Sequence, residues 1–224
     1  MERQKLSERK LPDYTKGEEI FNMVSHIVGG AVGIAAVTLC VIFAAIRGNV
    51  YGVISGAIYG ASMVILYTMS SVYHGLRPHL MAKKVFQVID HCSIFLLIAG
   101  TYTPIALCSL REYSTALGWI IFGIIWGVTV IGILMNAISL KKFRALSLIC
   151  YVLMGWGIVL SIRPLAQNLP LPGLMLLIVG GVVYTVGVVF YVLKKYRYMH
   201  SVWHLFVLAG SIFHYFSILL YVLK

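Results

Sequence analysis

A chain of 224 residues that is 60% hydrophobic, 11% charged and of mean hydropathy +0.92 is too apolar for a water-soluble domain, where about half the residues are apolar and about a quarter charged. The formal net charge of +11 would suit a nucleic-acid binder, but the basic residues are spaced along the chain as topology markers, and no nucleic-acid partner is expected. The four cysteines, Cys40, Cys92, Cys108 and Cys150, stand singly in apolar runs without a CxxC pair, which reads as packed small side chains rather than a disulfide framework.

Residues 1–18 form a charged amino tail with no apolar run. Seven apolar runs follow, at roughly 21–46, 51–74, 85–108, 113–137, 145–162, 170–193 and 199–223. Each matches the roughly 20 residues that an α-helix needs to cross a bilayer. The first run is too long for a signal-peptide core and lacks a small-residue cleavage site, so no cleaved signal is expected. Short polar breaks (RGN, RPHLMAKK, SLRE, LKKFR, RPLAQNLP and KKYRY) leave nothing for a soluble domain. The expected fold is an all-α integral membrane protein, with residues 19–224 forming one seven-transmembrane helix bundle.

Within the spans, Gly52, Gly56 and Gly60 recur every four residues in the second, and Gly123 and Gly127 do so in the fourth. Such stripes form flat seams for close helix packing, read here as packing inside the bundle; the oligomeric state is not legible. Pro104 is expected to kink or end the third span, and Arg77–Pro78 to end the second.

The basic residues fix an orientation. Five lie in the amino tail; Arg77, Lys83, Lys84, Lys141, Lys142, Arg144, Lys194, Lys195 and Arg197 lie in the second, fourth and sixth loops. Fourteen of the 18 Lys and Arg thus share one side, leaving Arg47, Arg111, Arg163 and Lys224 on the other. Because positive residues stay inside, the amino end is expected in the cytoplasm and the carboxyl end outside, in a multi-pass cell-membrane protein.

Ionisable groups inside a membrane are costly and ask for a reason. Here they are Glu19, His26, His74, Asp90, His91, His200, His204 and His214. Given the orientation, His26, His74, Asp90, His200 and His204 all fall within roughly 5–10 Å of the cytoplasmic boundary, at 1.5 Å per residue. His214 lies some 15 Å further along its helix. His200 and His204 share a helix face, and with His74 they form a three-imidazole set suited to Zn²⁺ with an open fourth position. Imidazole also takes iron, copper and nickel, so zinc is the best guess. The catalytic candidates are Asp90, to orient a water at the ion and exchange its proton, and Ser70, one turn before His74. Glu19, Asn22 and His26 make one stripe on the first helix and are expected to brace the site. His91, one residue from Asp90, is expected to point elsewhere. Taken singly, His26 and His214 read more readily as hydrogen-bonded core histidines, and interfacial snorkelling is the main competing explanation for the set.

The blocks EIFNMVSH, SSVYH, IDHCSIFLLIAGTYTP and HSVWHLFVLAGSIFH resemble those of the hemolysin III family, the bacterial branch of the progestin and adiponectin receptor family. The resemblance runs from Glu19 to the carboxyl end. It implies a seven-helix bundle with the amino end inside, a bacterial inner or plasma membrane location, and a zinc ion near the cytosolic face. By resemblance its ligands are His74, His200 and His204, with Asp90 and Ser70 beside them and Glu19, Asn22 and His26 as first-helix motif residues. One departure is His91, which follows the aspartate where the receptors carry an aromatic. The family also resembles alkaline ceramidases, which implies metal-dependent hydrolysis of a lipid amide or acyl bond, with membrane lipids as partners and the acyl chain in the bundle cavity. Two alternatives remain: a non-enzymatic sensor or regulator of membrane state, and a pore-forming cytolysin. The lack of a continuous polar stripe in any span argues against the pore.

Overall fold

The computed structural model describes residues 6–193 and 195–223, except the side chain of Glu8. Arg3, Lys5, Lys194 and Lys224 of the charge pattern lie outside the described residues. Seven helices are long and apolar enough to cross a membrane: α1 Lys16–Ile46, α2 Val50–Gly75, α3 Met81–Tyr113, α4 Thr115–Ile138, α5 Leu140–Asn168, α6 Leu171–Val192 and α7 Met199–Val222. No strand occurs among the described residues.

Local chemistry sets the ends. Thr15 opens α1 through a capping box: its hydroxyl accepts from the Glu18 N–H at 3.3 Å, and the Glu18 carboxylate accepts from the Thr15 N–H at 2.8 Å. That reciprocal pair satisfies first-turn donors and starts the helix ahead of the apolar run at 21. Asn49 caps α2 by accepting from Gly52 N–H at 2.8 Å, after a turn in which Gly48 has φ +68°. Only a residue without Cβ takes that left-handed conformation cheaply. α2 ends at Gly75, just ahead of Arg77–Pro78, because proline disfavours helical backbone before it.

Two sequence expectations change. Pro104 does not end the third span; α3 widens just after it into π-type turns over Ile105–Leu110 and continues to Tyr113. Proline's missing N–H leaves a carbonyl one turn back without its helical donor, and the wide turns begin at the next residue. The fifth span is longer than 145–162: it tightens to a 3-10 stretch at Gly157–Ser161 and continues helically to Asn168. The Tyr102 hydroxyl pins that irregular turn, donating to Met154 O at 2.6 Å and accepting from Ile158 N–H at 2.8 Å. Pro164 is tolerated because it lies in the first turn of the resumed helix.

α3 is the central element. Of its apolar stretch 83% is buried, against 17% for α5. α1 packs on α2 and α7, α2 on α3, α3 on α4, and α6 on α7. The α2 glycine seam is the α1–α2 contact: a Cβ at Gly60 would stand 2.3 Å from Val37 Cα, and one at Gly56 3.0 Å from Cys40 Cβ. Gly123 and Gly127 behave differently from expectation, with no atom within 4 Å of a built Cβ. α4 turns that face outward, alongside exposed Ile120, Ile124 and Ile131, as a lipid-facing surface would.

Candidate metal centre

Four helices bring the predicted residues to one end of the bundle. His74 arrives on the last turn of α2, His200 and His204 on the first turns of α7, Glu19, Asn22 and His26 on α1, and Asp90 on α3. The start of α7 is tied to α1. Tyr198, in the left-handed region at φ +62°, donates its N–H to Glu18 Oε1 at 2.7 Å. Backbone strain of about 1–3 kcal/mol at such a residue needs surrounding structure to hold it, and the Glu18 carboxylate provides that hold.

One ring nitrogen from each of His74, His200 and His204 lies within 4.8 Å of the other two. His204 Nε2 stands 3.1 Å from His200 Nε2. Partners fix which nitrogens face inward. His74 Nδ1 donates to the Glu19 carboxylate at 2.6 Å, since a carboxylate only accepts. Its Nε2 is left as a lone pair, buried and without a hydrogen-bond partner among the described residues. His204 Nδ1 likewise donates to Asn22 O at 3.3 Å, turning its Nε2 lone pair toward His200. Three imidazoles, at least two with tautomers set so that lone pairs converge, fit a divalent ion such as zinc. A carboxylate on the far nitrogen of a ligand histidine is the usual device for fixing its tautomer and orientation.

The expected braces all reach the cluster. Glu19 holds His74. Asn22 accepts from His204 through its backbone carbonyl, while its amide Nδ2 lies 3.5 Å from His74 Nδ1 and its Oδ1 is buried without a partner among the described residues. The His26 ring stacks on His204 with centroids 3.7 Å apart and planes at 13°. Ser70 and Asp90 line a cavity with His26, His200 and His204. Ser70 is buried, and its Oγ has no hydrogen-bond partner among the described residues. The cavity, about 140 Å³, runs away from the histidines between α3, α5, α6 and α7 as far as His214 and is walled mainly by Leu66, Ile94, Leu97, Val152, Trp203 and Val207.

Three further residues belong to the site. Lys83, read from sequence as a loop charge, is only 1% exposed. It donates to the carbonyls of Tyr73 at 3.0 Å and Leu76 at 2.9 Å, and pairs with Glu19 Oε1 at 2.8 Å. It thus caps the end of α2 and fixes the carboxylate that holds His74. His91 was expected to point away, consecutive helix residues being about 100° apart. Instead its ring folds back to donate Nδ1–H to Gln87 O at 2.8 Å. That puts the same nitrogen 3.4 Å from Asp90 Oδ2, and the ring lines the cavity. Tyr14, in the amino tail, stacks on His200 at 5.1 Å and 20°. Burial pushes its phenol above the usual range, with Tyr191, Asp90, Glu19 and Glu18 adding to the rise, so it covers the cluster as a neutral ring.

The architecture is that of a multi-pass α-helical membrane protein with a three-histidine cluster at one end of the bundle. Residues 14–215 match the family described as Haemolysin-III related, and the chain belongs to that family. It is 40% identical to Hemolysin-3 of Bacillus cereus over 206 residues, 92% of each chain. It is 38% identical to the Hemolysin-3 homolog of Bacillus subtilis (strain 168) over 211 residues, 94% of this chain and 97% of that one. The human Monocyte to macrophage differentiation factor is more distant, at 28% identity over 177 residues, 76% of this chain and 71% of its own.

Proposed function

We propose that this chain is a zinc-dependent intramembrane hydrolase that cleaves an amide or ester bond of an acyl lipid at the cytoplasmic side of a bacterial plasma membrane. The observation that carries this reading is the join between cluster and cavity: His200 and His204 line the same space as Asp90 and Ser70, and the rest of that space is mainly apolar. His74, His200 and His204 would hold the ion. When bound, zinc supplies a Lewis acid that polarises a carbonyl and makes nearby water acidic near neutral pH. Asp90 takes the proton of the attacking water and returns it to the departing amine or alcohol, the general acid–base role. Ser70 and His91 line the cavity with that carboxylate, and the apolar walls seat the acyl chain.

A second reading is favoured by the placement of the ligands on two helices. An ion there would join α2 to α7, as a structural staple in a non-enzymatic regulator of membrane state. Purified protein given N-acyl and O-acyl lipids separates the two. Hydrolysis that stops on chelation and returns with zinc supports the enzyme; metal retained with no product from any acyl lipid supports the regulator.

A further inference from the structure

We infer that the cavity system takes an amphiphile with an anionic head group, seated on Arg9, Lys10, Lys141 and Arg144. As a statement about substrate this rests on the hydrolase reading; as a statement about binding it does not. Those four cations line a second cavity of about 330 Å³ beside the histidine cluster, and no described acidic side chain lines it. The two cavities share a wall made by His91, Leu148, Tyr151, Tyr191 and His200. A molecule spanning both therefore passes this wall, to which the histidine cluster contributes His200.

The rest of the geometry agrees. Arg9 is 5% exposed, so its charge is held against the protein rather than in solvent. Arg144 lines this cavity together with Tyr191 of the shared wall. Arginine presents a planar fork that fits phosphate or carboxylate oxygens in pairs. On the apolar side, His200 to His214 spans about 21 Å at 1.5 Å per residue, the reach of a long acyl chain. Topology alone explains why basic residues lie at this end. It does not explain their gathering around one cavity, since Arg77, Lys195 and Arg197 belong to the same side and line neither.

The test is equilibrium binding to the full-length protein in uncharged detergent, with three probes: 1-oleoyl lysophosphatidate, uncharged 1-oleoylglycerol and inorganic phosphate. Wild-type protein should bind the lysophosphatidate at least about tenfold tighter than the glyceride, each charged hydrogen bond contributing about tenfold. K141Q/R144Q should erase that preference, and R77Q/K195Q should keep it. Gly155 lines the apolar cavity with no atom within 4 Å of a built Cβ, so Gly155→Phe should fit the fold, fill the cavity and weaken both lipids. The idea is overturned by equal binding of the two lipids to wild type, a comparison that needs no variant. It is also overturned if R77Q/K195Q erases the preference, which would reduce it to general surface charge. Unchanged lipid binding in Gly155→Phe would remove the acyl seat. Full displacement of the lipid by inorganic phosphate would make this a free-anion site. Lysophosphatidate preference without hydrolysis of any lipid leaves this inference standing and removes the hydrolase reading.

Discussion

Glu19 is the residue on which the ordering of the cluster turns, and Glu19→Gln tests that order. Its carboxylate accepts from His74 Nδ1 at 2.6 Å with one oxygen and from Lys83 at 2.8 Å with the other. The side chains of His74, Lys83 and Glu19 are 0%, 2% and 15% exposed, so solvent screens little of this. An amide keeps the shape but not the charge. Such outer partners of ligand histidines typically contribute about 10–100-fold in metal affinity, or about 1.4–2.8 kcal/mol at 1.4 kcal/mol per tenfold. Stripping one partner from a buried ion pair costs about 3–5 kcal/mol when nothing replaces it. Here the carbonyls of Tyr73 and Leu76 still hold Lys83, so the stability loss should fall below that range. Zinc affinity by chelator competition should therefore drop about 10–100-fold in Glu19→Gln, while Lys83→Met, which leaves Glu19 on His74, should lose less. Wild-type affinity in Glu19→Gln would refute the tautomer argument for His74.

Asp90→Asn should fold and keep its zinc but lose about 10²–10⁴-fold in lipid hydrolysis, the usual worth of general acid–base help; full turnover in the variant would remove Asp90 from proton transfer. Gly60→Leu should lower the melting temperature in detergent, because its Cβ would lie 2.3 Å from the Val37 backbone and overpacking typically costs about 1–3 kcal/mol. Gly123→Leu, with no atom within 4 Å, should leave it unchanged; equal effects in the two would contradict the packing of α1 on α2. Reporter fusions should place the amino end in the cytoplasm and the carboxyl end outside, and detection of both ends on one side would overturn the topology.

Hydropathy made the seven spans legible, and charge asymmetry together with helix rise put His74, Asp90, His200 and His204 at one depth before any coordinates. Depth along a helix is a one-dimensional quantity that a sequence carries directly. What it does not carry is which face of one helix meets which face of another. Lys83 was hidden for that reason: a lysine after a proline-containing loop reads as a topology marker, and its burial depends on where the end of α2 meets the start of α3. His91 was misplaced by treating side chains as straight spokes, when its ring bends back to the Gln87 carbonyl. The α4 glycines show the same limit from the other side. Gly123 and Gly127 carry the same spacing as Gly56 and Gly60, but only the α2 pair faces a neighbouring helix. Tyr14 sits in a tail without periodicity, so its stacking on His200 had no pattern to announce it.

The most direct test is the zinc content of the purified protein by elemental analysis, compared with His204→Ala and His74→Ala. One zinc per chain in the wild type, lost in both variants while each remains folded, is the predicted result. Wild-type protein that takes up no zinc, or variants that retain all of it, would contradict a metal centre at His74, His200 and His204.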